Sequence, residues 1–94
     1  MHGATLIEKE TINGLKFVQK DVLTHKDEIV HRKKELERAA TMGNTDHTKV
    51  KLIFNTLDGL KEVETTIWAV TEQYVTLKGD TQVPIHAIKE VILY

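Results

Sequence analysis

The sequence predicts an α+β protein in which one charged helix precedes a small antiparallel β-barrel. Residues 21–43 repeat apolar side chains at helical spacing, and residues 48–94 alternate short apolar runs with turn residues. Within the second part, residues 83–91 join two apolar strands through a one-turn interruption rather than a loop. Such a continuous passage is typical of the last strands of a small barrel.

Composition limits the chain to one small domain. It has 94 residues, of which 40% are apolar and 29% are charged, as expected of a globular protein. We expect a single domain over residues 1–94, with an extension over 1–20, a helix over 21–43 and the barrel over 48–94. The chain has no cysteine and no run of roughly 20 apolar residues, which fits a cytoplasmic protein that does not enter a membrane.

Charge is balanced along the whole chain. The net charge is −1, with 13 basic and 14 acidic side chains, and neither half departs from this balance. Proteins that bind nucleic acid without sequence preference usually have a basic excess, because phosphate neutralisation supplies most of their affinity. The composition therefore does not favour RNA or DNA as a partner.

The N-terminal extension contains a hairpin signal. Asn13-Gly14, flanked by Ile12 and Leu15, suits a two-residue type I′ turn, because both central residues of that turn need positive φ. We therefore expect residues 1–20 to form a β-hairpin that packs on the rest of the chain.

One helix is predicted between the extension and the barrel. Asp21 or Thr24 can cap its start, and Gly43-Asn44 can end it. Glu28 and Arg32 are spaced for an i,i+4 ion pair on a solvated face. Most other positions are charged, so we expect narrow contact with the barrel. The contact stripe comprises Val22, Ile29, Val30, Leu36, Ala39 and Ala40.

Four to five short strands are predicted after the helix. Residues 50–55 alternate apolar and polar side chains, and Asp58-Gly59 is a strong hairpin signal. The strand over residues 60–71 begins polar and becomes apolar on both faces, so we expect it to bend and to serve both sheets of an SH3-like barrel. Pro84 lacks the N–H group of a ladder hydrogen bond and must lie at an edge or a bulge.

Trp68 is the predicted anchor of the core. It is the single tryptophan and lies in the apolar half of the strand over residues 60–71. A buried tryptophan removes roughly 200 Å² from water. At about 25 cal/mol per Å² this burial contributes about 5 kcal/mol. We therefore expect truncation of Trp68 to unfold a domain of this size.

The sequence shows no pattern typical of a metal site or of a catalytic site. His25 and His31 are six residues apart, which places them on different faces of a helix, and His2 and His47 are isolated. The chain has no serine and no glycine-rich phosphate loop. We expect no metal, no cofactor and no enzymatic activity.

Three short stretches of the second half carry a resemblance to a known family. They are residues 50–55, Glu72-Gln73-Tyr74-Val75, and His86-Ala87-Ile88 followed by Val91. They resemble the opening strand, the Asp-Gln-aromatic-Val motif and the His-Ala-Ile run of the Sm-like fold, in particular of the bacterial Hfq-type RNA chaperones. In that family the glutamine, the aromatic residue and the histidine line a pocket in which the aromatic ring stacks on an RNA base. The resemblance implies the same role for Gln73, Tyr74 and His86.

This chain departs from the family at three places. The family's Tyr-Lys before the histidine is Pro84-Ile85 here, which removes a cation expected to meet RNA. The glycine that lets the family's second strand bend is absent from residues 63–66, and the turn at Gly79-Asp80 is shorter. The whole chain also resembles small bacterial proteins of an uncharacterised family, which implies no activity.

Two functions are predicted, in order of preference. The first is a non-enzymatic small-barrel module that forms homo-oligomers or binds a protein partner through its barrel edges and its polar helix. The alternative is an Sm-like ring that binds single-stranded RNA through Gln73, Tyr74 and His86.

Overall fold

The computed structural model describes residues 3–93, which contain one α-helix and seven strands, and the strands form two sheets. The helix, α1, is Lys26–Asp46, and two 3₁₀-helices cover Lys9–Gly14 and Ile85–Ala87. The α+β class is confirmed. The strands are β1 (Thr5–Leu6), β2 (Val50–Thr56), β3 (Gly59–Thr65), β4 (Ile67–Val70), β5 (Tyr74–Leu77), β6 (Thr81–Pro84) and β7 (Ile88–Leu93).

The strands divide into a four-stranded and a three-stranded sheet. The first has the order β1-β3-β2-β7 and the second the order β4-β5-β6. All neighbours are antiparallel except β1 and β3, which are parallel. No strand ladder closes the two sheets into a barrel within residues 3–93, so the predicted closed barrel is not confirmed.

The chain passes between the sheets at two places without a loop. Thr66 alone separates β3 from β4, so the predicted bent strand over residues 60–71 does serve both sheets. The one-turn interruption predicted within residues 83–91 is the 3₁₀-helix Ile85–Ala87, which joins β6 to β7. Both predictions of continuous passage are therefore confirmed.

Turn and edge signals of the second half also agree with the structure. β2 and β3 form a hairpin in which Thr56 pairs with Gly59, and Gly59 has the positive φ of 105° that favours glycine. Pro84 ends β6, which is an edge strand of its sheet. At an edge the missing N–H group breaks no ladder hydrogen bond.

The predicted N-terminal hairpin is wrong. Asn13-Gly14 ends the 3₁₀-helix Lys9–Gly14, in which the Leu15 N–H donates to the Ile12 carbonyl. This helix directs Ile12 into the core, where 1% of the residue is exposed. Among residues 3–20 the one strand is β1, and it lies parallel to β3 rather than antiparallel to a neighbouring segment. Burial of one isoleucine therefore outweighs the local turn preference.

The helix starts and ends later than predicted. Its N-terminal flanking residue is His25, without a side-chain cap, because the Asp21 carboxylate binds elsewhere. It ends at Asp46, and His47 takes the left-handed conformation with φ 54°. Neither Asp21 nor Thr24 caps it, and Gly43-Asn44 does not end it. No helix of residues 3–93 combines the length and the apolar character needed to cross a membrane.

Gly43 has a packing role inside α1. A methyl group at this position would overlap the Ile67 carbonyl and would lie 2.9 Å from Thr66 Cγ2. The glycine therefore lets α1 approach the main chain between β3 and β4 closely. The buried stripe of the helix comprises Arg32, Leu36, Ala39 and Gly43. Val30, which the sequence predicts in this stripe, is exposed.

Phe54, not Trp68, is the large aromatic residue of the core. Phe54 is fully buried on β2, and its ring centroid lies 5.7 Å from that of Phe17. Trp68 is 41% exposed on β4, so the prediction that it anchors the core is wrong. The β4 segment is apolar on both faces in sequence, but α1 and β5 cover only part of it, and Ala69 is also exposed.

The two aromatic residues give a direct test of the core. We expect Phe54→Ala to lower the free energy of unfolding by about 3–5 kcal/mol, because it removes a fully buried ring and leaves a cavity. Trp68→Ala should cost well under half of that, since its side chain already contacts water. Urea unfolding followed by circular dichroism measures both values. Equal losses would show that Trp68 is buried in solution.

Candidate binding cleft

A cleft of about 930 Å³ lies between α1 and the end of the three-stranded sheet. We call it the α1 cleft. One wall is the N-terminal half of α1, with Ile29 and Val30 as its apolar part, and the other wall comes from the residues around β5 and β6. That second wall contains all three predicted site residues, together with Glu72, Pro84 and Ile85.

A tight turn presents Gln73 and Tyr74 to the cleft. The Thr71 N–H donates to the Tyr74 carbonyl at 2.8 Å, and the Thr71 hydroxyl accepts from the N–H groups of Gln73 and Tyr74. The Ile85 N–H donates to the Gln73 carbonyl at 2.9 Å. Tyr74 is 42% exposed, so its ring is free to contact a ligand.

His86 holds the chain segment before α1. Its Nε2–H donates to the Val18 carbonyl at 2.7 Å, and its own carbonyl accepts from the Val22 N–H at 3.0 Å. The imidazole is therefore partly engaged in the fold, while its remaining surface lines the cleft. His86 also borders a smaller cavity of about 380 Å³, so Tyr74, Pro84 and His86 form a ridge between two depressions.

A partly buried ion pair, with Arg32 as its buried member, lies where α1 meets this ridge. Arg32 is 5% exposed, and its Nη1 and Nη2 donate to the two carboxylate oxygens of Asp21 at 2.9 and 2.8 Å. Nη1 also donates to the Ile88 carbonyl at 2.9 Å. The pKa of Asp21 is lowered from its ordinary value, chiefly by the hydrogen bond from Arg32, with burial opposing and the Leu23 N–H assisting.

Sequence reasoning missed this pair and the helix wall. Arg32 was expected to pair with Glu28 on a solvated face, whereas it points inward and binds Asp21, eleven residues earlier. The sequence does contain one sign that Arg32 points inward, because Arg32 lies between Ile29 and Leu36 on the apolar stripe. A charge in that place requires a buried partner.

The rim of the cleft carries both signs of charge. Lys33 and Lys34 line it together with Glu37 and Glu72, and the Lys33 ammonium group donates to the Thr71 carbonyl at 3.2 Å. The Asp21–Arg32 pair adds no net charge. Two exposed hydrophobic side chains, Val30 at 51% and Tyr74 at 42%, lie in the same cleft. The arrangement suits binding of a surface that is apolar at its centre and mixed in charge at its margin.

The remaining described histidines lie on α1 or next to its two ends. His25 precedes α1, His31 is within 4.0 Å of Glu35, and His47 follows the helix, while His2 lies outside the described residues. Within residues 3–93 no group of three His, Asp or Glu side chains could hold a metal ion. Comparisons with models of protein families, with curated proteins and with solved structures gave no significant match.

The ion pair predicts a pH dependence of stability. We expect Asp21→Asn to cost about 3 kcal/mol at neutral pH, because the buried Arg32 loses its counter-charge. The folded state lowers the pKa of Asp21 below 3.8, so its contribution is complete above that value and is lost as pH falls through the folded-state pKa. The stabilities of the two proteins should therefore converge below about pH 4.

Urea unfolding over a series of pH values measures this convergence. Asp58→Asn is the matched control, because Asp58 is an exposed carboxylate in the β2–β3 turn without an ion pair to any described residue. It should change stability by about 0.5 kcal/mol or less. A constant difference between Asp21→Asn and the wild type down to acid pH would contradict the assigned role.

Proposed function

We propose that this protein is a non-enzymatic binding module that associates with a second copy of itself through α1 and the α1 cleft. The observation that carries the proposal is the exposure of Val30 and Tyr74 in one cleft. Large apolar side chains that share an exposed concave surface are typical of interaction sites. The balanced charge of the rim favours a protein surface over a polyanion.

The outward stripe of α1 is complementary to itself. Val30, Lys34, Glu37 and Thr41 are all exposed and follow one another at spacings of four, three and four residues, so they lie in one row. When a second α1 packs antiparallel about a two-fold axis between Lys34 and Glu37, each Lys34 faces Glu37 of the other copy. The same axis places Thr41 of the second copy over Val30. A two-fold interface requires such self-complementarity.

Charge reversal tests this arrangement. Lys34→Glu and Glu37→Lys should each raise the dissociation constant of the dimer about tenfold, because each places two pairs of like charges opposite one another. An equimolar mixture of the two variants should restore association, because every pair across the interface is then attractive. Sedimentation velocity at low and at moderate salt measures all three samples.

The mixture separates contacts between copies from effects within one helix. Changes in helix stability would persist in the mixture, so failure of the mixture to recover would contradict the pairing. Val30→Asp should also weaken the dimer, whereas Leu57→Asp should not. Leu57 is a matched control because it is 66% exposed in the β2–β3 turn, outside the cleft. A monomeric wild type at high concentration would refute self-association.

An SH3-like arrangement remains part of the proposal. It is supported by the bent passage from β3 to β4, by the 3₁₀-helix between β6 and β7, and by the return of β7 to pair with β2. These features are what a small barrel of five strands requires when one strand serves both sheets. In this arrangement β1 and α1 are additions to the barrel.

The second candidate function is binding of single-stranded RNA in an Sm-like ring. The observation that favours it is that Gln73, Tyr74 and His86 line one cleft, with Lys33 and Lys34 on the opposite wall. An exposed tyrosine ring next to polar groups can stack on a base while those groups contact its edge. A particle of six or seven copies in light scattering would favour this function over the dimer.

Substitution of Tyr74 tests the RNA function. We expect Tyr74→Ala to weaken binding of a short labelled oligoribonucleotide by about 1–3 kcal/mol per stacked base, and Tyr74→Phe to retain most of the affinity. Fluorescence anisotropy at low salt gives both values. Equal affinities of the wild type and Tyr74→Ala would exclude stacking on this ring.

A further inference from the structure

The outer edge of β7 is open. β7 is the last strand of its sheet and pairs with β2 on one side only. Arg32 of α1 donates a hydrogen bond to the main chain of β7, at the Ile88 carbonyl where the strand begins. The main-chain groups of residues 89–93 that point away from β2 have no hydrogen-bond partner among the described residues. At about 3.3 Å per residue this edge is roughly 16 Å long.

The other edges of the described sheets are short or covered. α1 lies along the edge of β4, where the Asn44 amide donates to the Trp68 carbonyl at 3.0 Å, and Lys33 donates to the adjoining Thr71 carbonyl. β6 packs against the 3₁₀-helix Lys9–Gly14, and β1 has two residues. Proteins usually protect long edges, because open main-chain groups pair with other chains. The outer edge of β7, in contrast, can still pair with another chain.

A groove of about 400 Å³ runs between this edge and α1. Its apolar part comes from Leu23 and Val91, both partly buried. Its charged part includes the carboxylates of Asp27, Glu28 and Glu90, none of which forms an ion pair with a described residue. The groove therefore combines unpaired main chain, apolar contact area and free negative charge.

The groove has an acidic balance. Among the described residues that line the groove, Lys89 is the one lysine, against the three carboxylates without an ion pair. The charge of Arg32 is offset by Asp21, and that of Glu35 by Arg38 at 3.6 Å. An anionic strand or a nucleic acid would be repelled here, whereas lysine or arginine side chains would be attracted.

We propose that β7 binds an extended basic segment of a partner protein as an added strand. The main chain of the segment pairs with residues 89–93, alternate apolar side chains contact Leu23 and Val91, and its basic side chains reach Asp27, Glu28 and Glu90. Strand addition obtains affinity from the main chain and selectivity from alternate side chains. The site is distinct from the α1 cleft, so it does not depend on self-association.

A fluorescein-labelled hexapeptide of alternating lysine and valine is the probe. It should bind in fluorescence anisotropy, with an affinity that falls as salt rises. A peptide with glutamate in place of lysine should bind at least tenfold more weakly. A lysine-valine peptide with methylated alternate main-chain nitrogens should also lose at least tenfold, because it cannot complete the ladder.

Matched variants locate the site on the protein. The double variant Asp27→Asn with Glu28→Gln should weaken binding of the basic peptide several-fold. The control double variant, Asp46→Asn with Asp58→Asn, removes the same charge from exposed positions outside the groove and should leave binding unchanged. In hydrogen exchange, the peptide should increase protection of amides within residues 89–93 and not within β4.

Any one of four results would overturn the proposal. The first is equal binding of the methylated peptide, which would show that no ladder forms. The second is binding without added protection within residues 89–93. The third is protection of those amides in the peptide-free protein that disappears on dilution, which would show that a second copy already occupies the edge. Absence of binding at millimolar peptide would refute it as well.

Discussion

The Asp21–Arg32 ion pair determines how α1 sits on the sheets. Removing a guanidinium group from water costs several kcal/mol unless its donors find partners. Arg32 meets that requirement with both oxygens of Asp21 and with the Ile88 carbonyl, so it joins the segment before α1, the helix itself and β7. Its Nε has no partner among the described residues, so Nη1 and Nη2 make all of these hydrogen bonds.

Placement of α1 then decides which parts of the sheets contact water. Gly43 lets the helix approach the passage from β3 to β4, and Asn44 and Lys33 satisfy carbonyls along that edge. The same placement leaves the α1 cleft on one side of the helix and the β7 groove on the other. Both candidate surfaces are therefore consequences of one helix position, although different strands form their second walls.

Features that depend on neighbouring residues could be predicted from the sequence, and features that depend on distant ones could not. The hairpin at Gly59 and the 3₁₀-helix before β7 follow from local turn chemistry. Asn13-Gly14 carries an equally strong local signal, yet burial of Ile12 overrides it. The exposure of Trp68 and the pairing of Arg32 depend on where α1 packs, and periodicity alone does not give that position.

In the candidate site, too, some features could be predicted from the sequence and others could not. Gln73, Tyr74 and His86 come together because Tyr74 pairs with Pro84 across β5 and β6, a relation that two adjacent strands imply. Arg32, which no motif indicated, lines both the α1 cleft and the β7 groove. Its inward position depends on a carbonyl 56 residues further along the chain, which no local pattern indicates.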